Sequence, residues 1–224
     1  MAGVLGDAKL QALVERLHAQ SEGQVEATSR YFRERAEAGE LSWDGLAADG
    51  HRFMADKLVA LDPIKAEFCY LTCRALGARR VVELGTSLGV STLYLAAAIR
   101  DNGGGVVIGT EHEPAKAKAA RANFAAAGLS DVIELREGDL RETLKTLEGP
   151  IDFVLIDIWV EMARPALELI APHLRPGAVV CADNTTAAAF AYPAYFAFVN
   201  DPANGLRTMT LPFEGGLEMA VKIG

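Results

Sequence analysis

The sequence predicts an α/β fold: a mostly parallel sheet of seven strands, flanked by helices and preceded by a helical cap. Three observations carry this. From Arg80 onward, short runs rich in Val and Ile alternate with Ala-rich amphipathic stretches. Continuous apolar strands alternating with helices imply a parallel sheet covered on both faces. The last two apolar runs are separated only by the short segment around Phe213-Glu214-Gly215-Gly216. So short a link cannot hold a parallel crossover, so these strands pair antiparallel. The third observation is that the first part of the chain carries helical spacing instead of strand runs.

The elements follow in order. Leu10, Leu13, Val14 and Leu17 recur at helical spacing, and later Phe53, Leu58, Phe68, Leu71 and Leu76 sit among charged residues. Glycines and a tryptophan between Gly39 and Gly50 mark a break between helices. Asp62-Pro63 reads as a helix start, with Asp62 as the cap and Pro63 at the first helical position. Strands are expected at Val81–Leu84, Val106–Thr110, Val132–Leu135, Ile151–Ile156, Ala178–Ala182, Leu206–Leu211 and Leu217–Ile223. Helices are expected near Ser91–Arg100, Pro114–Ala127, Leu140–Leu147, Met162–His173 and Ala189–Val199. No internal repeat or long linker divides the chain. Residues 1–224 therefore read as one domain, with 1–61 as a helical cap and 62–224 as the core.

Composition narrows the function. Of the 224 residues, 50% are hydrophobic and 23% charged, the profile of a soluble globular protein. Lys and Arg total 22 against 30 for Asp and Glu, a net charge of -8. Such a surface repels phosphate backbones, which excludes nucleic acid as the main partner and leaves a small metabolite. The N-terminal segment lacks the basic-then-apolar order of a secretory signal. The apolar stretches are too short and too interrupted to cross a membrane. Cys69, Cys73 and Cys181 lie in apolar runs without paired CxxC spacing, as reduced core thiols of a cytoplasmic protein would.

The strongest local signal runs from Val81 to Ser91, where a strand enters a turn with Gly85 and Gly89 four apart and a helix follows. Such glycines let the backbone bend and approach a ligand, and the helix N-terminus beyond offers free N–H donors. The residues between them, Thr86 and Ser87, are not glycine, so the spacing differs from the dinucleotide G-x-G-x-x-G pattern. Glu83 before the turn suits a ligand bearing an amine or positive charge. The second strand ends at Thr110-Glu111, where a carboxylate can accept from both hydroxyls of a ribose. Glu137-Gly138-Asp139-Leu140 after the third strand is a natural place for an adenine edge. Each feature alone has a plain structural alternative as a turn or helix cap. Their order along one alternating chain points to a nucleoside ligand.

The order Glu83-Leu84-Gly85 with Gly89, then Glu111, then Gly138-Asp139, resembles the cofactor site of class I S-adenosylmethionine-dependent methyltransferases. The resemblance covers the chain from near Asp62 onward and implies a Rossmann-like seven-stranded sheet whose last strand is antiparallel. It implies that Gly85 and Gly89 cradle the amino acid part of S-adenosylmethionine and that Glu111 holds its ribose. Asp139 and Leu140 then lie near the adenine. Glu83, Thr86, Ser87, Ser91, His112, Gly138, Asp157 and Trp159 complete the expected cofactor-binding set.

A second set lies at the ends of the fourth and fifth strands: Asp157 in Ile156-Asp157-Ile158-Trp159, and Asp183 and Asn184 in Ala182-Asp183-Asn184-Thr185. Adjacent parallel strands bring such ends side by side, and three hard oxygen donors suit Mg²⁺. Helix capping is the alternative for each residue taken singly. The set resembles the metal triad of the cation-dependent O-methyltransferases, the catechol and caffeoyl-coenzyme A group. That resemblance implies Mg²⁺ or another divalent cation on Asp157, Asp183 and Asn184, and a homodimer. Asp157 and Lys65 are then the expected catalytic residues, Lys65 resembling an upstream lysine of the catechol-type enzymes. One departure stands out: the family places a lysine three residues after the first metal aspartate, and this chain has Val160 there. Valine cannot move a proton. His51, His112, Tyr192 and Tyr195 are candidate replacements. Phe190, Tyr192, Tyr195, Phe196 and Phe198 would suit a planar substrate.

The expected reaction is methyl transfer to a hydroxyl of a small aromatic acceptor. Three alternatives stay open: a metal-independent methyltransferase acting on a carboxylate or other nucleophile, a nicotinamide-dependent oxidoreductase, and a regulatory protein that holds the cofactor without turnover. The missing third glycine and the terminal hairpin argue against the oxidoreductase.

Overall fold

The computed structural model of the chain describes residues 3–38, 50 and 52–224. At its centre is a seven-stranded sheet in the order β3-β2-β1-β4-β5-β7-β6. The strands are β1 (Arg80–Leu84), β2 (Val106–Glu111), β3 (Ile133–Glu137), β4 (Ile151–Ile156), β5 (Leu174–Asp183), β6 (Leu206–Leu211) and β7 (Leu217–Lys222). The first five pair parallel, and β7 pairs antiparallel with both β5 and β6. The helices are α1 (Ala8–Glu37), α2 (Pro63–Ala75), α3 (Val90–Asp101), α4 (Pro114–Ala127), α5 (Leu140–Thr143), α6 (Val160–Ile170) and α7 (Pro193–Asn200).

Strand alternation explains why the sequence shows unbroken apolar runs. Val81, Phe153, Leu155, Val179 and Cys181 point into one core, beneath α1 to α4. Their neighbours Val82, Val154, Ile156, Val180 and Ala182 point into the other, beneath α6 and α7. With period two and both faces covered, nearly every central position is apolar, Glu83 in β1 being an exception. Leu10, Leu13, Val14 and Leu17 bury one stripe of α1 in the first core. Asp7 starts that helix by accepting from the N–H groups of Lys9 (2.9 Å) and Leu10 (3.2 Å). Asp62 caps α2 as expected, accepting from Ile64 N (2.9 Å), with Pro63 at the first turn.

The chain winds outward from β1 to β3, then returns to β4 on the other side of β1. Strand order reverses there, so a crevice opens at the carboxyl ends of the strands. Hydrogen bonding continues past those ends. Thr86 N donates to Thr110 O (2.9 Å), Gly138 N to Glu111 O (2.9 Å) and Asp157 N to Leu84 O (3.0 Å). The turns around the crevice are therefore fixed by the sheet itself.

Expected and observed bounds agree for β4, β6 and α4, the last begun by Pro114 and ended by Gly128 in the left-handed conformation. β5 begins earlier than expected, at Leu174. Pro176 and Gly177 sit where its register against β4 jumps from Ile151↔Leu174 to Phe153↔Val179, an irregularity that admits both residues. Val132 ends a 3₁₀ turn and does not open β3. The Leu140–Leu147 segment leaves the α-helical path after Thr143 and continues as a 3₁₀ turn. The Ala189–Val199 segment is a 3₁₀ turn, then a separate helix restarted at Pro193. Leu71 is 53% exposed and takes no part in the core. Positions 39–49 of the expected break, and His51, lie outside the described residues. Among the described residues no helix is long and apolar enough to cross a membrane.

Candidate active site

A cavity of about 720 Å³ occupies the crevice. Of the residues expected at a cofactor, Gly85, Ser87, Glu111, His112, Gly138, Asp139, Leu140, Asp157 and Trp159 line it. Gly85 has φ +89°, and a Cβ there would run into the carbonyl oxygen of Asp157. Only glycine lets the β1 turn lie so close to the end of β4. Glu111 accepts from Ser87 N (2.7 Å) on one carboxylate oxygen and from Glu113 N (2.8 Å) on the other. Each oxygen keeps a lone pair, so a vicinal diol can be bound by a carboxylate that is already held still. Asp139 accepts from Arg141 N (2.9 Å) and pairs with its guanidinium (2.5 Å), which holds its pKa at about 2. It faces the cavity as a carboxylate.

Four expected cofactor contacts stand behind the cavity wall. Glu83 is fully buried and accepts from the hydroxyls of Ser91 (2.6 Å), Thr92 (2.5 Å) and Thr86 (2.9 Å). Burial pushes its pKa up, and the three hydroxyls oppose that shift. Glu83 thus joins β1 to the first turns of α3 and braces the glycine turn from beneath. Thr86 and Ser91 are buried as its partners. Gly89 has φ +86°, and a Cβ there would strike the ring of Phe124 on α4. Its lack of a side chain serves helix packing. Lys116 was missed by sequence reasoning, and it lines the cavity near Glu111. Burial lowers its pKa, opposed by Glu111, Glu113 and Asp56.

A second cavity, of about 490 Å³, adjoins the first. Its walls come from α1 (His18, Ser21, Glu22), the segment leading into α2, Lys65, and Glu214 and Gly215 between β6 and β7. Asp157, Asp183 and Asn184 line both cavities. The sheet register explains the convergence: Ile156 pairs with Ala182, so the next residue of each strand, Asp157 and Asp183, stand side by side.

Lys65 is 2% exposed, and its Nζ lies 2.5 Å from Asp183 Oδ1 and 3.4 Å from the carbonyl oxygen of Gly216. Asp157 receives no hydrogen bond on its carboxylate from the described residues. Burial pushes its pKa well up, the charges of Asp183 and Glu83 add to this, and Lys65 opposes it. Burial raises Asp183 as well, against the pull of Lys65. One ammonium therefore faces two crowded carboxylates. Asn184 holds φ 58°, a left-handed conformation that asparagine tolerates better than most residues with a side chain. A Cβ at position 215 would lie 2.9 Å from Asn184 Oδ1, so Gly215 is a further residue of the site that sequence reasoning overlooked. Two under-compensated carboxylates and an amide oxygen fit a hard divalent cation. Among the described residues no group of three His, Cys, Asp or Glu side chains is placed to hold a metal, so a cation at this place would have to take Asn184 as its third donor.

The candidate proton acceptors are dispersed. Val160 opens α6 and lines the first cavity. Tyr192 donates its hydroxyl to the backbone oxygen of Asp183 (2.7 Å), and burial raises its pKa. Tyr195 is buried in the second core, and Phe190 is 67% exposed. His112 lies in the first cavity beside Asp139. Trp159 lines that cavity too, its ring edge against Gly50.

Residues 82–185, which include the glycine turn, Glu111, Asp157 and Asp183, match a family model described as a methyltransferase domain. That stretch of the chain is thus similar to a methyltransferase domain. Similar proteins point the same way. The chain is 36% identical over 127 residues to a catechol O-methyltransferase of Mycobacterium tuberculosis, the match covering 56% of this chain and 57% of that relative. It is 32% identical over 134 residues to a catechol O-methyltransferase of Niastella koreensis, covering 56% and 58%. The matched part thus spans a little over half the length of these curated relatives. Among solved structures, cofactor-bound Rv0187 from MTB superposes with a TM-score of 0.67 at 29% identity, covering 79% of this chain and 88% of that one. The O-methyltransferase TomG from Streptomyces achromogenes, in complex with SAM, superposes with a TM-score of 0.68 at 24% identity, covering 80% and 88%, a likeness of fold.

Proposed function

We propose that the methyltransferase moves the methyl group of S-adenosylmethionine to a hydroxyl of a small aromatic, catechol-like acceptor, with Mg²⁺ or another divalent cation at Asp157, Asp183 and Asn184. The observation that carries this reading is the meeting of two cavities at those three residues. Cofactor in the first and acceptor in the second would face each other across Asp157 and Asp183.

The cofactor supplies an electrophilic methyl on a sulfonium. Glu111 holds the ribose, Asp139 and Leu140 meet the adenine, and the turn at Gly85 and Ser87 receives the amino acid part. The chemistry a divalent cation supplies at such a donor set is polarisation of a hydroxyl, which eases its ionisation. Lys65 places a fixed positive charge in the second cavity and holds Asp183 in register through Oδ1. The shared wall keeps acceptor oxygen and methyl close and in line, an arrangement worth roughly 7–11 kcal/mol in the most favourable cases. A homodimer in the cytoplasm completes the proposal.

The test is a methyl-transfer assay with catechol and Mg²⁺, with and without a chelator. Product that disappears on chelation is expected. A second reading is a metal-independent enzyme acting on a carboxylate, an acceptor already ionised that needs no base at Val160, and turnover that resists chelation would establish it. Cofactor binding with no transfer to phenols, catechols or carboxylates would replace both readings with a regulatory one.

A further inference from the structure

We propose that Ser21 and Gln24 of α1 are positioning residues for methyl transfer: they hold segment 58–61 as a strap that sets the opening between the two cavities. This rests on the function proposed above and adds residues that act on the transfer step through the strap.

The walls of the two cavities have Val59, Asp157, Asp183, Asn184 and Ala187 in common. Asp157, Asp183, Asn184 and Ala187 sit at or just beyond the ends of β4 and β5, and Ala187 is tied down by its N–H on Gly215 O (3.0 Å). Val59 is the shared residue that belongs to neither strand end. It is 49% exposed, while Leu58 and Leu61 are buried in the first core. The strap is therefore pinned at both ends and presents Val59 where the cavities meet.

No sheet or helix holds this segment. Among the described residues, its backbone makes no hydrogen bond to another main-chain group. Side chains of α1 hold it instead. Leu58 N donates to Gln24 Oε1 (3.2 Å) and Ala60 N to Ser21 Oγ (3.0 Å), one on each side of Val59. Gln24 is itself steadied, its Nε2 donating to Gln20 O (3.0 Å) one turn back. Two partnered N–H groups flanking one residue fix where that residue stands. With the cofactor in one cavity and the acceptor in the other, the methyl crosses at the shared wall. A misplacement of about 1 Å, even from a change far from the chemistry, can cost on the order of 100-fold. A loosened strap thus costs turnover more than binding, because Gly85, Glu111 and Asp139 keep their places.

The test compares the parent chain with S21A, S21T and the double variant S21A/Q24A. Alanine is the better helix former at both positions, so α1 stays intact. In the double variant the Leu58 and Ala60 amides should exchange with solvent at least about tenfold faster. Its kcat for methylation of catechol should fall by roughly tenfold, with KM for catechol and Kd for S-adenosylhomocysteine within about twofold of the parent. S21T keeps the hydroxyl and should behave as the parent does where S21A does not. Unchanged exchange, or faster exchange with an unchanged kcat, would overturn the inference and leave the methyltransferase reading intact. A fall in kcat matched by equal losses in KM and Kd would overturn it too, as the mark of a merely structural role. If the parent chain binds S-adenosylhomocysteine yet gives no product from catechol, with or without Mg²⁺, the proposed function fails, and the inference fails with it.

Discussion

The two halves of the crevice handle their carboxylates in opposite ways. Around β1 to β3, each acid is occupied by the protein itself. Glu83 takes three hydroxyls, Glu111 takes two backbone N–H groups, and Asp139 takes Arg141. At the ends of β4 and β5, no described residue donates to the Asp157 carboxylate, and Asp183 shares one lysine. The first half is a mould whose acids are held by protein donors, although Ser87 there keeps φ 49° and a buried hydroxyl without a partner among the described residues. The second keeps its carboxylates under-compensated, and such imbalance clusters where a ligand or reaction uses it. The contrast teaches that acids of similar appearance in the sequence divide into scaffold and chemistry according to how many donors the fold brings them.

Replacing Asp157 gives the largest effect. D157A should lower turnover by roughly 100-fold or more, in the range seen when one charged catalytic partner is lost. Its affinity for S-adenosylhomocysteine should stay within a few fold, since the cofactor half is built without that carboxylate. Calorimetry beside a product assay checks both. Equal loss of binding and turnover would erase the distinction between the halves.

A change in the mould should act on folding instead. G89A combines φ +86° with a collision against Phe124. A cost of about 2–4 kcal/mol follows from strain plus overpacking, or a drop of roughly 4–16 °C in melting temperature. A melt as high as that of the parent chain would show that α4 yields easily and that the turn is less rigid than described.

The smallest expected effect concerns pH and cations. Asp157 and Asp183 have raised pKa values, so the folded protein holds their protons to higher pH than the unfolded chain does. The stability linked to those protons is present below the folded pKa values and is lost as pH rises through them. A cation must displace the same protons, so its stabilisation grows with pH. Mg²⁺ should raise the melting temperature by a few degrees at pH 8 and by less at pH 5.5. A shift independent of pH, or larger in acid, would place the cation away from these aspartates.

Much of this was legible in the sequence. β4 and β6 follow from short apolar runs bounded by turns, and α4 from Pro114 and Gly128 at its ends. Asp157, Asp183 and Asn184 could be grouped because parallel strands end side by side. The sequence could not show which way Glu83 points. Its partners Thr86, Ser91 and Thr92 close around it only once α3 turns back over β1, so a residue read as a ligand contact is a brace. The second cavity was hidden for a different reason. The buried stripe of α1 runs through Leu10, Leu13, Val14 and Leu17, then turns polar at His18 and Ser21. Ser21 accepts the N–H of Ala60 (3.0 Å) and Gln24 that of Leu58 (3.2 Å), so polar side chains fasten the segment bordering the cavity. A stripe that changes character part-way along one helix is the signal that could have revealed it.

The placement of β7 has a consequence for the second cavity. Although last in chain order, it is inserted between β5 and β6, and the turn before it brings the Gly216 carbonyl to Lys65. Thr186 and Ala187 also donate their N–H groups to Gly215 O (2.9 and 3.0 Å). The surroundings of Lys65 are therefore closed by a strand pair far along the chain from the glycine turn, so a loosened β6–β7 hairpin would disturb the second cavity before the first.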